Sequence, residues 1–512
     1  MSDPDRMPRS WTVAPLSRLC EKLVDGSHLP PAKQATGRPM LSAKNIGNGT
    51  ISLDGRFITP EAFAAEDART RVRPGDVLLT IVGTIGRAAV VPESLETVTL
   101  QRSVAVLKPL ALQPRFCMYQ LQSPDIQRKL EQDARGTAQK GVYLKTLGRI
   151  ELRVAPRPEQ DRIVAKIEEL FSDLDAGVAA LERVRANLKR YRAAVLKAAV
   201  EGRLTEEWRT RHPATEPAAK LLERILAERR AKWEQDQLRK FKESGKTPPK
   251  GWKESFEDSS AALTDGLGSL PPGWSWSNID RIADVQGGIQ KQPKRAPVKN
   301  AFPYLRVANV RRDQLLLDDM EKFELFPGEL ERLRLEPNDL LIVEGNGSLT
   351  EIGRSAIWRG EIPNCVHQNH IIRVRPLGVL TGFVNMYWNS PNGAKRVMAE
   401  AASTSGLYTL SVTKVCRLPV PIPPLAEQAE IVAEVDRRLS VADAAETQVE
   451  HALQRAARLR QAILKRAFEG KLVEQDPTDE PAAALLERIK PATNGKPPAP
   501  AKPPMRRSRA RV

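Results

Sequence analysis

The chain has 512 residues, of which 41% are hydrophobic, so it is long enough for several domains with packed cores. No apolar run approaches the roughly 20 residues of a membrane-spanning helix, and the charged start MSDPDRMPRSW predicts no secretory signal. The net charge of +17 indicates a polyanionic partner, of which nucleic acid is the simplest.

Residues 1–155 are predicted to form a β-rich domain. The runs Asp76–Val82 and Val104–Leu107 have the length and composition of short apolar strands. Gly-rich turns lie between them, as expected for strands of one small domain.

A long helix is predicted from about Gln160 to Glu201, ending at Gly202. Its apolar residues recur at alternating steps of four and three, the spacing of a coiled-coil seam, with a weak place at Gly177. At 1.5 Å per residue the helix is roughly 60 Å long, so its narrow apolar stripe needs a partner helix. The seam comprises Ile163, Ile167, Leu170, Leu174, Gly177, Leu181, Val184, Leu188, Tyr191 and Val195.

A short helix started by proline is predicted at Glu216–Ile225, so residues 156–226 form one helical region. Residues 227–269 then run from a charged helix into a linker that contains proline and serine. This segment separates the two halves of the chain.

Residues 270–420 are predicted to form a second β-rich domain, weakly similar to the first. Short strands are expected at Asp339–Val343 and Ile371–Val374, and Gly353-Arg354 matches Gly86-Arg87. Between such shared positions the two sequences differ almost completely. We therefore expect two related scaffolds that carry different surfaces.

The helical region returns at residues 421–489. Glu427–Leu472 matches Glu159–Leu204 at an offset of 268 without a gap, and 18 of the 46 aligned positions are identical. The segment Glu480–Ile489 then repeats the short helix. A duplication of this length decides the architecture of the chain.

The second long helix has small residues in the middle of its seam, where the first has large ones. This complementarity predicts an antiparallel pair. In the expected register Leu170, Leu174, Leu181 and Val184 meet Ala456, Ala452, Ala445 and Ala442. The alternative is that each seam packs separately on its own domain.

The tail at residues 490–512 has seven Lys or Arg and no acid among Pro and Ala, so we expect it to be disordered. Without these seven charges the remainder of the chain still has a net charge of about +10. The basic character therefore does not depend on the tail.

No complete catalytic motif is present. The chain lacks the Gly-rich cofactor loop and the Asn/Asp-Pro-Pro-aromatic motif that an adenine methyltransferase needs. Gly245-Lys246-Thr247 resembles the end of a P-loop, but Lys240 stands where its first Gly is required. The run Pro337-Asn-Asp-Leu followed by Glu344 lacks the Lys of a metal-dependent nuclease.

The cysteines do not form a metal or disulfide pattern. They are scattered with no Cys-x-x-Cys pair, which suits a reducing cytosol and structural thiols, at Cys20, Cys117, Cys365 and Cys416. The group Cys365, His367 and His370 suggests a metal, yet its counterparts in the first half include Leu100 and Ser103. Ordinary strand residues or partner contacts are the preferred interpretation.

The order of these elements, each present twice, resembles the specificity subunit of a type I restriction-modification enzyme. The motifs are a Glu-Gln pair at the start of each long helix, its Glu-Gly-[Arg/Lys]-Leu end, and Glu-Pro-Ala-Ala-x-Leu-Leu-Glu-Arg-Ile. The resemblance extends from Trp11 to Ile489. It implies an α+β fold with two β-rich target recognition domains, residues 1–155 and 270–420, joined by two long helices that form an antiparallel coiled coil with an internal twofold repeat. Residues 156–226 and 421–489 would be the central and distal conserved regions.

The resemblance also implies a cytoplasmic, non-catalytic subunit that binds an asymmetric two-part target in double-stranded DNA and no membrane. Family members bind two modification subunits, which are adenine methyltransferases, and two restriction subunits, which are nuclease-translocases. S-adenosylmethionine, ATP and Mg are expected on these partners, and no cofactor or metal on this chain.

The repeated helices would offer similar surfaces to two identical modification subunits. Shared residues expected to face outward and contact them are Glu182, Arg192, Lys197, Glu450, Arg460 and Lys465. A solvated helix face is the alternative interpretation of the same residues.

Loops that differ between the two halves are where DNA contacts are expected. Arg suits guanine and Asn or Gln suits adenine, whereas cations on phosphate only position the protein. The first domain contributes Thr84, Arg87, Gln101, Arg102, Lys140 and Tyr143, and the second Asn346, Ser348, Arg354, His367, Gln368, Asn369 and Tyr408. The shared Gln101 and Gln368 equally suit a structural role, and the shared Arg87 and Arg354 suit phosphate better than a base.

Three other classes of protein were weighed. A stand-alone DNA-binding regulator explains the charge and the duplication but would more often show a compact helix-turn-helix. A coiled-coil scaffold without a nucleic-acid role needs neither two differing domains nor this charge. A fused restriction enzyme would carry catalytic motifs.

Overall fold

The structure, a computed structural model, describes residues 7–136, 140–256, 266–404 and 407–489. The tail expected at residues 490–512 lies outside this part of the chain. Contacts divide the chain into unit 1, Met1–Glu182 with Glu450–Val512, and unit 2, Arg183–Val449. In the described ranges no helix has both the length and the apolar character that crossing a membrane takes.

The N-terminal β-rich region consists of short strands joined by short helices. Its strands are β1 (Thr12–Pro15), β2 (Cys20–Asp25), β3 (Arg38–Leu41), β4 (Phe57–Ile58), β5 (Val77–Thr80), β6 (Ala88–Val90), β7 (Thr99–Leu100), β8 (Val104–Pro109) and β9 (Glu151–Val154). Its helices are α1 (Leu16–Leu19), α2 (Pro60–Thr70), α3 (Pro114–Leu121), α4 (Pro124–Asp133) and α5 (Leu144–Leu147), with a 3₁₀ turn at Ala43–Asn45. Both strands predicted in this region are confirmed.

Two sheets organise this region. Strands pair in the orders β2-β8-β5-β6 and β4-β3-β7, and β1 pairs with β9. Val77 and Leu79 of β5 face one core cluster and Leu78 faces another. Because both faces of β5 are covered, its sequence is a continuous apolar run and does not alternate.

Helices follow in the middle of the chain: α6 (Arg157–Val200), α7 (Glu206–Arg211) and α8 (Ala218–Glu243), with a 3₁₀ turn at Trp252–Ser255. The charged segment predicted after Ile225 continues α8. The chain then folds back, since Trp252 stacks on Trp233 with ring centroids 5.7 Å apart.

The second β-rich region repeats the plan of the first with insertions. Its strands are β10 (Ser275–Asn278), β11 (Ala283–Gly287), β12 (Ala301–Leu305), β13 (Val310–Arg311), β14 (Gln314–Leu315), β15 (Glu321–Glu324), β16 (Asp339–Val343), β17 (Gly345–Asn346), β18 (Ser355–Trp358), β19 (Val366–His367), β20 (Ile371–Pro376), β21 (Ala402–Thr404), β22 (Leu407–Thr409) and β23 (Pro419–Ile422). Its helices are α9 (Ile279–Ile282), α10 (Glu329–Leu333), α11 (Thr381–Asn389), α12 (Pro391–Glu400) and α13 (Val412–Arg417), with 3₁₀ turns at Pro293–Arg295, Val307–Asn309 and Leu349–Glu351.

The strand orders of this region, β11-β20-β16-β18, β15-β12-β19 and β10-β23, reproduce those of the first region. The hairpin β13-β14 and the small sheet β17-β22-β21 are additions. The prediction of two related β-rich scaffolds is therefore confirmed, although few residues are shared.

The chain continues with α14 (Leu425–Phe468) and α15 (Ala482–Arg488). In unit 1 the C-terminal half of α14 joins the core of the first β-rich region, where Phe468 stacks edge-on against Phe116 with centroids 5.1 Å apart. In unit 2 Val435 near the start of α14 lies in one core cluster with Val195 and Ala199 of α6. Each such buried large apolar side chain contributes about 1.5–3 kcal/mol.

The two long helices run antiparallel within each unit, as predicted. In unit 1 Arg460 forms an ion pair with Asp175 and lies 4.1 Å from the ring centre of Phe171. In unit 2 Arg192 forms ion pairs with Asp443 and, at 2.6 Å, with Glu446. These two interhelical arrangements are equivalent under the offset of 268.

The predicted register is wrong. It placed Asp175 nine residues from the position opposite Arg460, which is about 14 Å along a helix. The structure instead pairs the two side chains directly. The ends of the helices are buried in the cores of the β-rich regions, whereas Val184 and Tyr191 in the middle of the seam stay 43% and 42% exposed. The register is therefore determined by burial of the helix ends in these cores, and not by the match of large and small residues in the middle of the seam.

Both long helices end at the predicted glycines. Gly202 and Gly470 have φ values of +70° and +69°, and the following N–H groups of Arg203 and Lys471 donate to Ala198 and Arg466. A Cβ atom on Gly202 would also lie 2.5 Å from Pro271, and one on Gly470 would lie 2.3 Å from Pro8. Glycine is therefore required for the backbone conformation and for close packing.

A buried Glu-Gln pair starts each long helix. The Gln160 amide accepts from the Gln113 N–H at 2.7 Å and donates to the Ala155 carbonyl at 2.9 Å. Gln428 makes the equivalent bonds with Leu380 at 2.8 Å and Pro423 at 2.9 Å. The side chains of Gln160 and Gln428 thus tie each helix start to the loops of its β-rich region.

The two buried glutamates have different partners. Glu427 is fully buried and accepts hydrogen bonds from Arg209 at 2.5 Å and Trp274 at 2.9 Å. At the equivalent place in unit 1 a neutral amide, that of Gln475, donates to Glu159 at 2.6 Å. Burial raises the pKa of Glu159 above its ordinary value.

We predict opposite stability changes for the two Glu→Gln substitutions. Because burial penalises ionised Glu159, wild-type stability falls as pH rises from the unfolded-state pKa of about 4.3 through the raised folded value. Glu159→Gln removes that penalty, so its melting temperature should exceed that of wild type at pH 7 and equal it below about pH 4. Glu427→Gln leaves Arg209 without its counterion and should destabilise by about 3 kcal/mol. Calorimetry of both variants checks this, and shifts of the same sign at pH 7 would contradict it.

Candidate nucleic-acid interface

Three loops of unit 1 meet at one edge of the four-stranded sheet. The Ile81 N–H donates to the Ser103 carbonyl at 2.9 Å, and the Val142 N–H donates to the Ile81 carbonyl at 2.8 Å. The Gly83 N–H donates to the Lys140 carbonyl at 3.0 Å. We call the surface formed by residues 81–87, 101–103 and 140–143 edge 1.

Edge 1 brings together the residues predicted for DNA contact in the first half. Thr84, Arg87, Arg102 and Lys140 are exposed, and Tyr143 is 69% exposed. Within the described part of the chain Arg87, Arg102 and Lys140 form no ion pair. Their charge is therefore available to an external anion.

Gln101 has a structural place beside these side chains. Its backbone N–H donates to the Leu41 carbonyl at 2.8 Å, and it bridges to Ser27 in the parallel sense. The side chain of Gln101 is half-buried. This position links the two sheets at edge 1.

The same backbone bonds build an equivalent edge in unit 2. The Glu344 N–H donates to the His370 carbonyl at 2.9 Å, and the Leu410 N–H donates to the Glu344 carbonyl at 2.8 Å. Asn346 of β17 is the register partner of Tyr408 of β22. We call the surface formed by residues 344–350, 368–370 and 407–410 edge 2. The backbone hydrogen bonds that are common to edge 1 and edge 2 are called the shared frame.

Edge 2 gathers most of the residues predicted in the second half. Ser348 is exposed, and Asn346, Asn369 and Tyr408 are half-buried. The side-chain Oδ1 of Asn346 accepts from the Ser348 N–H at 2.9 Å, which orders this turn. These side chains are neutral donors and acceptors, unlike the cations of edge 1.

Gln368 belongs to the shared frame. Its side-chain oxygen accepts from the Val307 N–H at 3.2 Å. In unit 1 the Ser103 hydroxyl performs this task by accepting from the Ala43 N–H at 3.0 Å. The structural role considered for Gln368 is thus supported by geometry.

Two predicted DNA contacts, Arg354 and His367, are wrong because both side chains are buried. Arg354 is 7% exposed and donates to the carbonyls of Val310 at 2.7 Å and Val307 at 3.0 Å. His367 is fully buried, and its Nδ1 lies 3.0 Å from the Ile371 carbonyl. Burial lowers the pKa of His367 to about 4. The first side chain supports a loop and the second fills a core position.

His370 and Glu344 are edge residues that the sequence-based candidates omitted. His370 was noted only as part of a group with Cys365 and His367, and those two are buried. The His370 side chain is 56% exposed, and its Nδ1 lies 3.0 Å from Oε2 of Glu344. The clue available in the sequence was the position of the two histidines. His367 ends β19 and His370 precedes β20, so they lie on opposite sides of the turn between these strands.

The residues predicted to contact modification subunits fall into two groups. Arg192 and Arg460 lie between the helices in ion pairs, so the expectation that they face outward is wrong. Lys197 is exposed and lies 3.9 Å from Glu201, and Lys465 is exposed and lies 3.9 Å from Glu469. The Lys–Glu arrangement is thus repeated at the end of each long helix.

The two acidic residues of this set differ in exposure. Glu450 is exposed on α14, and Glu182 is half-buried on α6. Both remain on the helices where the repeat placed them.

Comparisons with known proteins show which proteins this chain resembles. A family model described as the type I restriction modification DNA specificity domain matches residues 8–183. The EcoKI type I restriction enzyme specificity subunit of Escherichia coli K12 is 26% identical over 507 residues, which cover 95% of this chain and 96% of that protein. The StySPI specificity subunit of Salmonella potsdam is 25% identical over 508 residues, with the same coverage of both chains.

A solved structure agrees in fold. A chain from work on complex assembly and conformational transition of the type I R-M system matches with a TM-score of 0.56 at 19% sequence identity, covering 91% of this chain and 99% of that chain. The full-length matches to specificity subunits, the family model and the repeated architecture agree. Over 95% of its length this chain is similar to type I restriction-modification specificity subunits.

Proposed function

We propose that this chain is the DNA-recognition subunit of a type I restriction-modification complex and that it has no catalytic activity of its own. It binds an asymmetric two-part target in double-stranded DNA, with edge 1 reading one part and edge 2 the other. The observation that carries this proposal is the shared frame with different side chains. The same backbone bonds hold Ile81 in one unit and Glu344 in the other.

The two edges have different chemistry for this task. Arg87, Arg102 and Lys140 on edge 1 suit phosphate or guanine. Asn346 and Asn369 on edge 2 suit adenine, which an amide recognises through two hydrogen bonds. Because the edges differ, the two parts of the target should differ in sequence.

The proposed partners are those implied by the similarity to specificity subunits, and the repeat supports two equivalent sites for one of them. Two modification subunits carry S-adenosylmethionine and methylate adenine, and two restriction subunits use ATP and Mg. The repeated Lys197–Glu201 and Lys465–Glu469 arrangements support two equivalent sites for modification subunits.

The function is tested by mapping adenine methylation in cells that express this chain with its modification subunit. We expect a two-part adenine motif that is lost when the chain is omitted. Replacing residues 1–155 with the matching region of a relative should change one half of the motif and leave the other intact. A chain that binds DNA tightly and specifically without a modification subunit, and directs no methylation, would instead be a stand-alone regulator.

The double variant Arg102→Ala, Lys140→Ala is expected to weaken DNA binding by the assembled complex. The plot of log affinity against log salt concentration has a negative slope. If both side chains contact phosphate, this slope should become less negative by about 2 in the double variant, since each contact contributes about 1. Titration at several salt concentrations measures this slope. Arg157→Ala removes an exposed cation from α6 and serves as the matched control. Equal slopes for the double variant and wild type would contradict a phosphate role.

The charge reversals Lys197→Glu and Lys465→Glu test the partner surface. Each single variant is expected to reduce the number of bound modification subunits from two to one, and the double variant to none. Native mass spectrometry of the assembled complexes counts them. Lys189→Glu, which alters an exposed lysine on α6 that the repeat does not share, should retain two. Two subunits bound to the double variant would show that the contact lies elsewhere.

A further inference from the structure

Edge 2 contains a carboxylate and an imidazole held in one pair. Nδ1 of His370 lies 3.0 Å from Oε2 of Glu344, and the two side chains are 56% and 28% exposed. Oε1 of Glu344 has no hydrogen-bond partner among the described residues. One oxygen of this carboxylate is therefore fixed while the other is free to accept.

The fold does not require an acid at this position. Glu344 and Ile81 occupy the same place in the shared frame, because each donates its N–H to the next turn and accepts from the returning hairpin. Ile81 is 3% exposed and packs in the core of unit 1. An apolar residue thus satisfies the frame, so Glu344 has another purpose.

The surroundings of Glu344 suit contact with a base and not with phosphate. A carboxylate near the DNA backbone is repelled by phosphate, and this repulsion weakens binding unless the carboxylate gains a specific hydrogen bond. The donors that a duplex presents to it in the major groove are the N4 amino group of cytosine and the N6 amino group of adenine. Asn346 and Asn369 on the same edge are also of a base-reading type.

We propose that Glu344 is a specificity-determining residue that accepts a hydrogen bond from an exocyclic amino group of cytosine or adenine in the target part read by edge 2. His370 is a positioning residue that holds the carboxylate plane through Oε2. This inference rests on the proposed function and assigns one side chain to one base position.

The experiment uses the complete chain assembled with its modification subunit and a DNA library in which both target parts are randomised. Glu344→Leu is compared with wild type and with Glu351→Leu, which alters an exposed acid in the neighbouring turn. Sequencing of the methylated molecules gives the base preference at each position. We expect Glu344→Leu, which removes both acceptor oxygens, to lose about tenfold or more of the preference for cytosine or adenine at one position, which is within the discrimination of a single good base contact. The other target part should stay unchanged, as should every position for Glu351→Leu.

Base analogues separate the two amino groups. At the affected position, pyrimidin-2-one replaces cytosine or purine replaces adenine, so that only the amino group is lost. Wild type should then lose methylation rate to the level of Glu344→Leu, and that variant should be insensitive to the change. The analogue that produces this loss identifies which base supplies the donor.

His370 is tested by rescue. His370→Ala should relax preference at the same single position, and His370→Gln, which retains a donor near Oε2, should restore part of it. A merely structural role would lower the melting temperature and relax several positions together.

The possible outcomes separate failure of this inference from failure of the proposed function on which it rests. If wild type directs no two-part motif, the proposed function fails. If wild type reads such a motif and Glu344→Leu keeps every preference while its melting temperature matches wild type, the assignment of Glu344 alone is overturned.

Discussion

Burial of the ends of the long helices in the cores of the β-rich regions is the interaction on which the rest of the structure depends. Ile163 and Ile167 of α6 and Leu464 and Phe468 of α14 belong to the core of unit 1. Val195 of α6 and Ile431 of α14 occupy the corresponding place in unit 2. This burial sets the helix register, and the glycine stops place the next segments against the start of each β-rich region. Neither unit is formed by one β-rich region alone.

The sequence predicted the architecture because the repeat, the glycine stops and the continuous apolar strands are local patterns with a known period. It did not predict the helix register, since the seam shows which face is buried and not which core buries its ends. Arg354 and His367 were misplaced for a related reason. Arg354 lies just before β18 and His367 ends β19, and polar residue type alone does not show whether a side chain there points outward, so the charged Arg354 looked exposed although it supports a loop.

The residues of the edges were found in part because difference between the halves was used as the signal. That signal selected the loops of Thr84 and Asn346, which the structure places on edge 1 and edge 2, but it could not rank residues within them. Glu344 was set aside as part of an incomplete nuclease motif, and only its backbone bonds show that it replaces Ile81. Comparing two copies of one frame inside a single chain therefore gives information that neither copy gives alone, because the apolar Ile81 shows that the frame itself does not require the carboxylate of Glu344.

The discontinuity of unit 1 has a consequence for biosynthesis. Its core includes Leu486 of α15 as well as Trp11 near the start of the chain, whereas unit 2 is one continuous segment, Arg183–Val449. At a synthesis rate of about 5–20 residues per second, the N-terminal strands wait on the order of tens of seconds for the residues that complete their core. The region translated first is thus finished last, and its apolar surface is exposed to chaperones and proteases throughout that interval.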